Sequence, residues 1–306
     1  MMRRALMILL AFLLVASLSV SCADRTAPEK KQIVTTVFPL YEFATVLAPQ
    51  DVTVRLLLPA GSDLHSYEPT PQDLAQISVC DLFLYIGGEG DEHIRSLLES
   101  TPKAHAFSFI DLVEPLCDTH EHEHADSHHI HSDEHIWTSP KNADVMVGAL
   151  ADELIRLFPE DADGIAARCK DYRTELDALS REYEEVLRDL PTLFFGDRFP
   201  FAHLAEDYHL SYEAAIDGCG EHTEASAART AELIDLAVAQ GAKAIFYTES
   251  SSGALARTIA EECAADVYQL HSCHNLTADE RDEQLTYLEL MRRNLDTLQK
   301  AKGVNS

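Results

Sequence analysis

Residues 32–58 read QIVTTVFPLYEFATVLAPQDVTVRLLL, and their hydrophobic pattern changes twice. QIVTTVF is rich in β-branched and aromatic residues, the composition of a strand. PLYEFATVLA carries apolar residues at helical spacing. VTVRLLL returns to strand composition. A strand, a helix and a strand with no hairpin turn between them form a βαβ unit, which pairs its strands in parallel.

The pattern continues in both directions. DLFLYIG (81–87) and HAFSF (105–109) read as further strands. TPQDLAQIS (70–78), between VTVRLLL and DLFLYIG, reads as a helix with Thr70 as N-cap and Pro71 at its first position. GGEG at 87–90 lacks the full G-x-G-x-x-G pattern and reads as a tight turn. In the second half TLFFG, LSYEAAI, KAIFYT and DVYQL are strands with helical patterns between them. No repeat is visible at residue level. The expected fold class is α/β, with two lobes that each hold a mostly parallel sheet flanked by helices.

Between the halves, Ile165, Cys169, Tyr172, Leu176, Leu179, Tyr183, Val186 and Leu190 recur at alternating spacings of four and three. That spacing makes one apolar stripe on a single helix, expected over 161–191 and ended by Pro191. A stiff connector of this kind limits how far two lobes can swing apart.

The amino terminus is a targeting segment. Arg3 and Arg4 precede an apolar run over 5–16 and small residues that lead to Cys22. This order is a secretory signal peptide, too short for a spanning helix. Cys22 is the expected lipidation site, with a plainly secreted chain as the alternative. The expected organisation is a signal peptide over 1–21 and a lipid-anchored tether over 22–31. A first lobe over 32–160 contains a His-rich loop at 117–134, and after the 161–191 helix comes a second lobe over 192–306. The chain is expected outside the cytoplasm, anchored to the membrane or periplasmic, as a monomer.

The formal charge of −28 excludes nucleic acid as a partner and suits small cations. Six cysteines follow Cys22, and export permits disulfides among them. Cys219 and Cys273 are the pair considered, since a bond between them would tie two loops at the lobe interface. Buried free thiols are an equal reading for Cys80 and Cys169.

Seven of the fifteen histidines lie between His120 and His135. Those at 120, 122, 124, 128, 129 and 131 (His120, His122, His124, His128, His129 and His131) sit in an acidic run without periodicity. They are expected to form an accessory, weakly binding metal collector or sensor. The formal H-E-x-x-H match at 120–124 would need a helix that this run cannot hold, which disfavours a zinc metallohydrolase. Ligands of open α/β sheets bind beyond the carboxyl ends of strands. His65, His135, His203, His271 and His274 fall at such positions, and they come from both halves. Converging imidazoles make a zinc site, whereas Mn²⁺ prefers added carboxylates.

LLLPAGSDLHSYEPTPQDL and DEHIWTSPKNA resemble two signature segments of the metal-specific solute-binding proteins of bacterial zinc and manganese ABC importers. The resemblance covers essentially the whole exported chain. It implies that His65 and His135 are metal ligands. It also implies that the His-rich loop is of the zinc type and that the partners are a metal ion and a membrane permease. The third ligand of that family should lie ten residues before Tyr208, where this chain has Arg198, which cannot bind a metal. His203, five positions later, is the substitute candidate. The slot of the fourth ligand, usually Asp, is filled by His274. His271 points to the other side by strand alternation but stays a candidate, and Glu221, His222 and Glu224 are weak outer candidates. The resemblance implies capture of Zn²⁺ and no enzymatic step, with Mn²⁺ as the rival cargo and a surface adhesin as the reading of another class.

Overall fold

β1 (Gln32–Thr35) is buried along most of its length, with Ile33, Val34 and Thr35 at 0 % exposure. A strand covered on both faces is what the uninterrupted apolar run predicts for the middle of a parallel sheet. In the computed structural model, which describes residues 31–62, 67–88, 92–101, 105–116, 133–216 and 225–304, the chain leaves β1 into α1 (Phe38–Leu47). It then enters β2 (Thr53–Leu56), α2 (Pro71–Val79), β3 (Leu82–Tyr85), α3 (Glu92–Ser100) and β4 (Ala106–Ser108). The four strands are parallel in the order β2-β1-β3-β4. Thr70 caps α2 as its sequence predicts. Its hydroxyl accepts from the Asp73 amide while the Asp73 carboxylate accepts from the Thr70 amide.

The first lobe connects through α4 (Pro140–Leu157) to the long helix α5 (Ala162–Leu187), 26 residues and roughly 39 Å in length. Its stripe is buried from Ile165 through Tyr183, but the last turns differ from expectation. Leu187 rather than Val186 completes the buried face, and the helix ends there, before Leu190 and Pro191. The second lobe then runs β5 (Leu193–Arg198), α6 (Ala202–Tyr208), β6 (Tyr212–Ile216) and α7 (Ala227–Gln240). β7 (Ala244–Thr248), α8 (Ala254–Cys263), β8 (Asp266–Leu270), α9 (Ala278–Asp282) and α10 (Tyr287–Val304) complete it. Its strands are also all parallel, ordered β6-β5-β7-β8. The two sheets thus repeat one wiring plan without a repeated sequence. Backbone pairing and burial pattern specify that plan, and many sequences satisfy both.

One hydrophobic core runs through both lobes. It includes Phe43 and Leu84 of the first, Tyr172, Leu176 and Tyr183 of α5, and Phe195, Leu270 and Met291 of the second. Separate clusters fill the outer face of each sheet. Arg168 of α5 donates to the Leu47 carbonyl at the end of α1, and the Tyr183 hydroxyl donates to the Met291 carbonyl of α10. A connector anchored at both ends in a shared core resists wide opening, since separating the lobes would expose that core to water. Among the described residues, no helix is long and apolar enough to cross a membrane. The signal segment and Cys22 lie outside the described residues.

Candidate metal centre

The carboxyl ends of the strands in both sheets lead into the segments that carry the candidate ligands. In the first lobe the segment is 133–139, just before α4. Asp133 Oδ1 accepts two hydrogen bonds from His135, one from its backbone amide and one from Nδ1, both 2.8 Å. An aspartate two residues before its partner forms this turn readily. It also fixes the ring. With Nδ1–H donated to a carboxylate, Nε2 is the nitrogen that can take a metal. Burial alone would raise the Asp133 carboxyl, but His135 outweighs it and holds it below its usual range.

A short helical turn, Ile136–Thr138, follows and buries Trp137 to 2 % exposure. Gly88, whose φ of 101° suits glycine, lies against Glu134. A Cβ there would come within 2.7 Å of the Glu134 side chain. Asp133 and Glu134 therefore belong to the folded lobe, not to the His-rich loop expected to extend through 134. Spacing alone put them in the acidic run, whereas the Asx turn and the packing against Gly88 order them.

In the second lobe the segment 271–276 follows β8. Asn294 of α10 accepts from the His271 amide and donates to its carbonyl, each at 2.7 Å. Glu249 accepts from the Ser272 amide at 2.7 Å and from its hydroxyl at 2.5 Å. Cys273 then adopts a left-handed φ of 59°, unusual for a side chain with a Cβ and tolerated here because its neighbours are pinned. This reversal turns His274 toward the first lobe. Its ring stacks on Trp137 with centroids 5.6 Å apart and meets the His135 ring edge-on at 5.9 Å.

Hydrogen bonds to backbone carbonyls tie the second segment to the first lobe. Trp137 Nε1 donates to the Ser272 carbonyl at 2.8 Å, and the Phe38 amide donates to the His274 carbonyl at 3.0 Å. Asn275 Nδ2 donates to the carbonyls of Pro59 at 2.6 Å and Ser62 at 2.9 Å. The Gly61 amide donates to the Leu276 carbonyl at 2.8 Å. The loop that leads to His65 is thus held directly against the His274 segment. His65 itself, the accessory histidines at 120–131, Cys117, Cys219, Glu221, His222 and Glu224 lie outside the described residues.

The remaining candidates sit elsewhere. The His271 ring faces α9. Its Nδ1 accepts from the Cys273 amide at 2.9 Å, and Nε2 lies 3.3 Å from Glu280 of α9. With Nδ1 accepting, the ring carries its proton on Nε2, where the carboxylates of Glu280 and Glu249 favour it against the cost of burial. In return His271, its largest influence, draws Glu280 down to about 2. His203 lies at the start of α6 with Nδ1 3.2 Å from the Asn142 side-chain nitrogen and Nε2 2.9 Å from the Asp133 carbonyl. Both nitrogens are engaged. Arg198 ends β5, opposite Ile216 and beyond a break in strand register.

Cys219, the partner considered from sequence for Cys273, lies outside the described residues, and Cys273 is a free thiol at 0 % exposure. Its left-handed backbone sends the side chain into the shared core with Tyr183 and Tyr287. Cys80, Cys169 and Cys263 are free as well. Among the described residues no group of three or more His, Cys, Asp or Glu side chains is placed to hold a metal ion. What the structure brings together is the pair His135 and His274, one from each lobe. Sequence reading missed Asp133, Trp137, Asn275 and Asn294 as the residues that hold them. Only the two-residue spacing of Asp133 from His135 gave a local signal.

Residues 33–301 match the family model described as the periplasmic zinc-uptake complex component A. The chain is 31 % identical over 308 residues to the high-affinity zinc uptake system protein ZnuA of Bacillus subtilis, covering 96 % of each chain. It is 30 % identical to the zinc-binding lipoprotein AdcA of Streptococcus pneumoniae, covering 94 % of this chain but 60 % of that longer protein. Among solved structures it is similar to the Zn(II)-bound ZnuA-like domain of Streptococcus pneumoniae AdcA, with a TM-score of 0.75 and 28 % identity. That match covers 90 % of this chain and 99 % of the domain.

Proposed function

Because the chain belongs to the family of periplasmic zinc-uptake components, we propose that it captures Zn²⁺ outside the cytoplasm and delivers it to the membrane permease of an ABC importer. The observation that carries this reading is the meeting of His135 and His274 across the lobe interface, with ring centroids 5.9 Å apart. The loop that bears His65 is tied to the same segment through Asn275.

His65, His135 and His274 are the proposed ligands. Three neutral imidazoles suit a four-coordinate zinc ion, whereas Mn²⁺ favours harder oxygen donors. The slot that carries a carboxylate in related sites carries His274 here, which supports zinc over manganese. His271 is excluded from the proposed set because both of its nitrogens are turned to Cys273 and Glu280. The metal is cargo, so no bond is made or broken on it. Ligands drawn from two lobes let small lobe displacements weaken the site for release. The accessory histidines are proposed to concentrate zinc near the entrance, and a lipid on Cys22 to keep the protein at the membrane.

The test is zinc affinity by chelator competition. His135→Ala and His274→Ala are each expected to weaken binding by more than the roughly 10–100-fold typical of residues outside the ligand set. His271→Ala is expected to change it little. Equal losses for all three variants would overturn this ligand set.

A further inference from the structure

His203 belongs to α6 in the second lobe, is 3 % exposed, and has a partner at each ring nitrogen. A carbonyl oxygen accepts only, and a carboxamide nitrogen donates only. A neutral ring with its proton on Nε2 therefore satisfies both the Asp133 carbonyl and Asn142. Metal binding through either nitrogen would break a buried hydrogen bond. Asp133, held in this way, accepts both the backbone amide and the Nδ1 proton of His135. A continuous chain of hydrogen bonds thus runs from Asn142 of α4 through His203 and Asp133 to His135.

We propose that His203 is a positioning residue for the zinc site. It clamps the Asp133 turn from the opposite lobe, and through that turn it sets the tautomer and aim of His135 without touching the metal. The proposal rests on His135 being a zinc ligand. Because α6 and Asp133 belong to different lobes, the direction of His135 depends on the lobes keeping their register.

The experiment compares the wild-type exported chain with His203→Ala, His203→Gln and Asn142→Ala. Three quantities are read. They are zinc affinity, the number of imidazoles on bound zinc by X-ray absorption, and the His135 tautomer in metal-free protein by ¹⁵N NMR at one fixed pH. His203→Ala is expected to weaken zinc roughly 10–100-fold with the imidazole number unchanged. The His135 ring should pass from one Nδ1–H form to a mixture. Glutamine can donate to Asp133 and accept from Asn142, so His203→Gln should recover most of the affinity and the single tautomer, which loss of a metal ligand would not allow. Asn142→Ala, at a half-buried helical site that tolerates alanine, should weaken zinc in the same direction and covers the case in which His203→Ala does not fold.

Unchanged affinity and tautomer in the alanine variants would overturn the proposal. So would loss of one imidazole from the zinc shell, or a glutamine variant no better than alanine. Failure of the wild-type chain to take up zinc would defeat the functional reading instead, and the metal-free tautomer comparison would still decide the role of His203.

Discussion

Glu42 offers a direct test of the claim that the two lobes share one core. It lies half-buried on α1 of the first lobe, and its carboxylate accepts from the backbone of Tyr287, the first residue of α10 in the second. That helix start already has a carboxylate, since Glu289 accepts from the Thr286 amide and hydroxyl. Burial pushes the Glu42 carboxyl up, and the charge of Glu289 pushes it further, from the usual 4.5 to about 7. Folding therefore favours the protonated acid. The associated stability is present in full below pH 4.5 and is lost as pH rises through about 7. Each tenfold change in acidity is worth about 1.4 kcal/mol, so the displacement corresponds to at most about 3 kcal/mol, reduced by whatever water reaches the group.

Glu42→Gln keeps an acceptor for Tyr287 and removes the charge. Denaturant melts of metal-free protein should show little difference between variant and wild type near pH 4.5. Near pH 8 the variant should be more stable by up to about 3 kcal/mol, roughly 5–10 °C in Tm for a chain of this size. A stability difference that is the same at both pH values would refute the reasoning. It would mean that Glu42 is not held between the lobes as the structure places it.

Two further outcomes follow from packing. Trp137→Phe keeps an aromatic ring beside His274 but leaves the buried Ser272 carbonyl without its 2.8 Å donor. It should cost roughly 1–3 kcal/mol in stability by denaturant melts and weaken zinc measurably in the chelator assay, whereas full affinity would show that this tether does not shape the site. Gly196→Ala would place a Cβ 2.3 Å from Ala256 Cα, backbone that cannot step aside. The loss should be at least about 1–3 kcal/mol by the same melts, and a neutral result would mean that β5 and α8 pack less closely than described.

The local sequence carried most of the fold. Alternation of strand-like and helical stretches marked the α/β class, and the spacing of Ile165 through Tyr183 marked the long helix, because burial on one face needs that spacing wherever the helix docks. Its end was less legible. Val186 and Leu190 fit the stripe, yet α5 stops at Leu187, since helix ends depend on what the next residues pack against. Strand order within each sheet was also hidden, because parallel neighbours are chosen through contacts remote in the chain.

The site divides in the same way. The sequence by itself pointed to His65 and His135, through their resemblance to known ligand segments, and placed His274 in the slot after the last strand. It left His203 and His271 open and counted Asp133 as part of an acidic run. Only the tertiary structure separated them. A histidine's role depends on what faces its two nitrogens, and those partners lie far away in sequence: Asn142 and the Asp133 carbonyl for His203, Glu280 for His271. The left-handed turn at Cys273 likewise has no signature in residue type, yet it aims His274 across the lobes and turns the thiol into the core. Composition fixed which residues could bind a metal, and the packing of two lobes around α5 decided which of them face one another.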